Sequence, residues 1–183
     1  SRKKIAMKFF TRTFNSFLII ILLQAVLVIV FVSGRVSKSQ EADFHQDVGL
    51  YFKSIAGTLN HLLLTEHTLW YARFKQGMSP TLSLETILHT EKQPLLDDLI
   101  HKSHNWITFV NDLDERKLTG NLSYQRASGV QMCLPYAATL LHVFNHGTHH
   151  RGQVTAAMTH LGYKCPELDL VYMLVEQASL KKR

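Results

Sequence analysis

Four of the chain's 11 histidines fall within nine residues. They are His142, His146, His149 and His150, in the stretch LHVFNHGTHHRGQ from Leu141 to Gln153. Imidazole is neutral at pH 7 and is the commonest protein ligand for a divalent metal. On an α-helix, residues four apart sit on one face, one turn above each other. His146 and His150 can therefore present two imidazoles to one point, and His142 with His146 is an equally good helical pair. Two ligands on one helix rarely suffice, so a third has to come from another element. The same spacing also suits a plain helix face with no metal at all.

The elements that would position these side chains can be read from periodicity. A first helix is expected from about Val48 to Phe74, stopping before Gly77, with Ile55, Leu59, Leu62, Leu69 and Trp70 as its apolar stripe. His61 lies on a neighbouring face with the small residues Thr58, Thr65 and Ala72. By itself it reads as a hydrogen-bonded packing residue. Gly77 to Ser83 reads as a loop. Gln93-Pro94 opens a second helix, with Leu96, Leu99, Ile100, Trp106, Ile107, Val110 and Leu113 facing the core. Asp97, Asp98, His101 and His104 on that helix read as a solvated face. Lys117 to Met132 is irregular and has room for a short β-hairpin. The histidine-rich helix runs from about Pro135 and is closed by Gly162. A last short helix starts at Asp169 and ends in Lys181, Lys182 and Arg183. Three long helices with short loops indicate an antiparallel bundle, and a four-helix bundle needs one more.

The segment standing where that helix belongs is unusual. Thr13 to Gly34 carries no charge, and Phe17 to Val32 is apolar except for Gln24. Such a run is long enough to span a bilayer, and no face of it is polar. Five basic residues precede it and two follow, which places the N-terminus in the cytoplasm if the run is a transmembrane helix. The expectation is thus a chain anchored in a membrane through residues 13–34, with residues 1–40 as an apolar segment and 41–183 as a bundle. A signal peptide and a fully buried helix are the other readings. Residues 1–40 hold seven basic side chains and no acidic one, leaving 13 basic against 14 acidic beyond them. The bundle itself has no basic bias, which argues against nucleic acid as its partner. Cys133 and Cys165 form no CxxC pattern and read as ordinary reduced cysteines. Outside a membrane they could pair.

Two stretches together resemble the DinB damage-inducible family of the DinB/YfiT-like bundles. They are YFKSIAGTLNHLLLTEHTLWYARF (Tyr51 to Phe74) and LLHVFNHGTHHRGQVTAAMTHLG (Leu140 to Gly162). LSYQRASG, LPYAATLLH and PELDLVY are also similar to the family, so the resemblance covers roughly residues 41 to 178. It implies an all-α, antiparallel four-helix bundle holding a divalent metal with three histidines, here His61, His146 and His150. It favours the His146–His150 pair over His142 and His149. Arg151 and Gln153 match the motif as partners that orient ligands or pack the helix, and Glu66 sits where an acidic partner is usual. The N-terminus departs from the family, whose members begin with an amphipathic helix. Either an anchor replaces that helix, or residues 1–40 come from a wrong reading frame or start site and the protein is cytoplasmic.

Three neutral histidines would leave a coordination position open, as catalytic sites do. The resemblance therefore implies a metal-dependent enzyme, a thiol S-transferase or a hydrolase, with zinc, nickel or iron equally suited and a small molecule, such as a thiol, as substrate. No nucleophile or general base is placed by any motif, so catalytic residues stay unassigned. The alternative is a metal-binding or stress-response module without turnover, such as a homodimer.

Overall fold

The computed structural model describes residues 29, 32–165, 169, 171, 172, 175, 178 and 179. Residues 32–36 are helical and lead into a short helix α1 (Glu41–His45). A long helical rod follows in three parts: α2 (Ile55–Leu62), a π-helical segment (Leu63–Trp70) and α3 (Tyr71–Gln76). After a loop come α4 (Lys92–Asn111) and a 3-10 turn (Glu115–Thr119). Strands β1 (Asn121–Gln125) and β2 (Gln131–Pro135) lead into α5 (Tyr136–His160). Residues 171, 172, 175, 178 and 179 are helical, and Lys181 to Arg183 lie outside the described residues.

The first rod starts at Ile55, seven residues later than the apolar periodicity predicts. Ser54 is extended and its side chain accepts from the Gly57 N–H, a helix N-cap. Residues 48–53 form a turn instead, closed by Val48 N–H to the Lys53 carbonyl at 2.9 Å. At its other end the rod stops where expected, on Gly77 at φ 72°. The fold is not purely helical. The expected hairpin is present, with β1 and β2 antiparallel and Ser123 opposite Cys133. It docks on the end of α3 through Gln125 N–H to Gly77 O and Ser79 N–H to Gln125 O. Both cysteines are free.

The membrane anchor, and the localisation that followed from it, is corrected by the packing. Among the described residues no helix is long and apolar enough to cross a membrane. Ile29 and Val32, the described apolar side chains of the run, are buried together with Val36 against Phe44, Ile55, Leu59 and Leu96. Their apolar surface is spent on the protein core and not on lipid, as in the buried-helix reading. Residues 13–28, 30 and 31 of the run lie outside the described residues.

The core has two apolar clusters. One gathers Val32, Phe44, Ile55, Leu59, Leu96, Leu99 and Val154; the other is aromatic, built from Phe74, Trp106, Tyr124, Tyr136 and Phe144. Polar side chains are buried on the rod, α4 and α5 as well, among them Thr65, Glu66, His67, Ser103, His150 and Arg151. Such a buried polar layer persists only where its groups are paired or put to use.

Candidate metal centre

His61 from α2 and His146 with His150 from α5 converge, and one nitrogen of each lies within 4.8 Å of the others. The two α5 rings meet as the i,i+4 spacing requires, with Nε2 to Nε2 at 3.1 Å. Two nitrogens bound to one tetrahedral ion at about 2.0–2.1 Å would stand about 3.3 Å apart. The pair is therefore already at ligand spacing. His61 and His150 are buried and His146 is half-buried.

Two of the rings are held by something other than the ligand set. Gln153 has only an acceptor to offer at Oε1, so the Nδ1–H of His150 donates to it at 2.7 Å. That tautomer leaves a lone pair on Nε2, facing His146. Phe52 stacks on His61 with ring centroids 3.8 Å apart. Gly57 makes this possible, because a Cβ there would lie 2.1 Å from the Phe52 carbonyl oxygen. Next to His61, the buried Asn60 is fully used. Its amide oxygen accepts from Leu88 N–H and His89 N–H, and its NH2 donates to the Ala56 and His89 carbonyls. Asn60 thus fastens the loop after α3 against the helix that carries His61.

The electrostatics favour neutral imidazoles. Burial, then the neighbouring His150, lowers His61 to about 4. Burial, then the other histidines, lowers His146 to about 3. Burial also lowers His150, against the opposing pull of Gln153. Nδ1 of His61 and Nδ1 of His146 are buried without a hydrogen-bond partner. Neutral rings with free nitrogens facing one point are what a divalent ion requires of its ligands, so these residues fit one.

Glu66 does not orient a histidine, contrary to the expectation for an acidic partner. Its Oε2 lies 3.7 Å from Nη1 of Arg151, and both side chains are almost fully buried. Burial pushes Glu66 up to about 7 against the pull of Arg151. The pair lies directly over Gly147, where a Cβ would come within 2.3 Å of Glu66 Oε2 and 2.6 Å of Arg151 Nη1. The glycine in NHGTHH is therefore a packing requirement, and Arg151 braces α5 beside His150. The π-helical segment turns both Glu66 and His67 into the interior. Burial, then Arg151 and Lys102, lowers His67 to about 3.

His142 and His149 are exposed and stand outside the cluster. His142 packs 5.5 Å from the Trp70 ring, and His149 lies 4.9 Å from His150. His101 and His104 are exposed, as a solvated face requires, while Asp98 pairs with Lys102 at 2.9 Å and His89 at 3.0 Å. Phe52, Asn60 and Gly147 were not singled out from the sequence. NHGTHH carried a signal for Gly147, since glycine inside a helix costs about 1 kcal/mol and calls for a reason. Two cavities flank His61. One of about 510 Å³ lies beside Phe52 and Lys53; the other, of about 480 Å³, also reaches His146 and Trp70.

Comparison with known proteins bears on the family and the fold. Residues 34–179 match the DinB family. Protein DinB of Bacillus subtilis (strain 168) is 29% identical over 144 residues, which is 75% of this chain and 82% of that protein. A DinB-like protein from Bacillus cereus ATCC 10987 superposes with a TM-score of 0.55 at 16% identity, over 80% of this chain and 94% of its own. YfiT from Bacillus subtilis gives 0.53 at 13% identity, over 78% and 89%. YfiT is described as a probable metal-dependent hydrolase with an unusual four-helix bundle topology. At these identities the likeness of the two structures is one of fold.

Proposed function

The chain belongs to the DinB family, and from that premise we propose that it is a metal-dependent enzyme, a hydrolase or thiol S-transferase, centred on His61, His146 and His150. The observation that carries this reading is the convergence of three neutral imidazoles within 4.8 Å, two of which, His61 and His146, line a cavity of about 480 Å³. The description of YfiT, which shares the fold, points the same way.

Three histidines leave a position open for a water or a substrate atom. A bound divalent ion would supply a water ionising near pH 7, or a thiolate held ready to react. The chain's own groups do the rest. Gln153 fixes the proton on Nδ1 of His150, and Phe52 holds the plane of His61. Glu66 is no general base despite its raised affinity for a proton. It is sealed in the polar layer against Arg151 and does not line the cavity. No carboxylate lines that cavity, and the imidazole of His142, outside the ligand set, is, besides two arginines, the basic side chain that does.

Metal analysis by mass spectrometry on the full chain tests the reading. One equivalent in the parent, lost in His61→Ala and in His150→Ala, is the expected result. Metal kept by both variants, or missing from a well-folded parent, would refute it. The absence of a carboxylate from the described lining of that cavity favours a second reading, a metal-binding module without turnover. Cobalt substitution separates the two: the spectrum should change with small thiols or esters if the open position accepts substrates, and stay fixed if it does not.

A further inference from the structure

The cavity that reaches His61 and His146 has a second end with a different chemistry. Arg73 and Arg126 line it, and no acidic side chain does. Arg73 comes from α3, and Arg126 from the turn between β1 and β2, which is docked on α3 through Gly77 and Ser79. Among the described residues, neither arginine pairs with a carboxylate.

Arg73 is not a loosely solvated side chain. Its guanidinium carbon lies 4.4 Å from the Trp70 ring centroid and 4.6 Å from that of Tyr124. One edge is also engaged, because Nε donates to Ser79 Oγ at 2.9 Å. What remains is the outer fork of Nη donors, in a fixed plane, the arrangement that grips a planar or tetrahedral anion. Arg126 is close enough to depress Arg73's hold on its proton, after burial. Two like charges are thus held near each other with no carboxylate among the described residues to neutralise them.

The two ends are connected by aromatic surface. From Arg73 the wall passes over Trp70, which touches His142 at 5.5 Å, and His142 stands 5.9 Å from His146. The lining is therefore cationic at Arg73 and Arg126, aromatic at Trp70, and imidazole at His142, His146 and His61.

We propose that Arg73 and Arg126 bind an anionic group, carboxylate or phosphate, of a substrate whose opposite end reaches the three histidines. This rests on the reading of the histidines as a metal centre and adds a substrate class to it: elongated anionic molecules in preference to neutral ones.

The test uses cobalt-loaded full chain and two thiols of equal reach, 6-mercaptohexanoate and 6-mercaptohexanol. Their binding is read from thiolate-to-cobalt absorption. The carboxylate should bind about tenfold tighter, the effect of one well-made charged contact. That preference should largely vanish in Arg126→Gln, an exposed position whose change leaves the core alone, and in Arg73→Gln. Acetate and inorganic phosphate, added as competitors, tell the two anion types apart, the stronger displacer marking the chemistry of the site. Equal affinity for both thiols, or a preference that survives both substitutions, would overturn the proposal. If the parent takes up no cobalt, the metal reading has failed and not this one. The arginines are then tested on the metal-free chain by phosphate-induced change in Trp70 fluorescence. A saturable change, lost in Arg126→Gln, supports the anion site, and no change overturns it.

Discussion

At the level of single residues, the centre depends on groups that touch the histidines and not only on the histidines. Gln153 sets the tautomer of His150 with one 2.7 Å hydrogen bond. Gln153→Leu should weaken metal binding about 10- to 100-fold while leaving the helix content unchanged, as measured by chelator competition alongside circular dichroism. The buried Glu66–Arg151 pair makes the opposite kind of prediction. Without Arg151 the buried Glu66 carboxyl takes up a proton and is left as an unpaired polar group. Arg151→Met should therefore cost about 1–3 kcal/mol in denaturant unfolding at neutral pH, and the loss should grow as pH rises and Glu66 is driven to ionise. His67 supplies a pH dependence. Its folded affinity for a proton, lowered to about 3, is below the ordinary 6.5. The unfolded chain then binds the extra proton, so the His67 contribution is present above about pH 6.5 and is lost as pH falls toward 3. Glu66, raised to about 7 from 4.5, works in the other direction: its contribution is present at low pH and lost as pH rises through 7. Urea titrations of the parent and His67→Leu from pH 7 to 4 should show a shallower acid slope in the variant, by up to about 1.4 kcal/mol per pH unit.

At the level of elements, the π-helical segment decides which side chains face inward. An α-helix carries about 3.6 residues per turn, whereas a π-helix closes i to i+5 and rotates the face it presents. Thr68 Oγ1 bonds the carbonyl of Leu63 five residues back, in keeping with that winding. Leu63 through His67 are all buried as a result, Glu66 and His67 included. Asn60 is the matching device between elements, holding residues 88 and 89 to α2. Asn60→Ala should lower stability by about 1–3 kcal/mol, since it strips partners from half-buried backbone groups. It should also speed chelator removal of metal, because the loop beside His61 is released. Stability lost with no change in the rate of metal removal would show that the loop does not guard the centre.

At the level of the whole molecule, the bundle closes only with the segment before residue 40. Val36 is fully buried, and Ile29 and Val32 nearly so, in the cluster that includes Ile55, Leu59 and Val154. Val36→Asp should therefore destabilise by more than about 3 kcal/mol, because it buries a carboxylate with no partner. A chain starting at residue 41 should unfold or bind the apolar dye ANS, having lost one wall of its core. A cooperative unfolding transition in that truncated chain, as steep as the parent's, would show that the wall is dispensable.

The sequence alone determined the local events whose causes are local. Gly77 and Gly162 ended helices, Pro94 fell in a first turn, a hairpin fitted into the irregular stretch from Lys117 to Met132 (its second strand runs on to Pro135), and His146 with His150 faced one point because four residues make about one helical turn. His61 was legible only through its likeness to a family, since nothing in its own neighbourhood separates a ligand from a packing residue. What the tertiary structure decided were the features that depend on distant chain. The apolar run read as a bilayer span because apolarity does not say whether lipid or protein will cover it, and Ile29, Val32 and Val36 are covered by protein. Glu66 read as a partner for histidine because its sequence distance from Arg151 hides a 3.7 Å approach over Gly147. Arg73 and Arg126 carry no signal of their own in the sequence, and only the docking of the hairpin on α3 sets them in one cavity with the histidines.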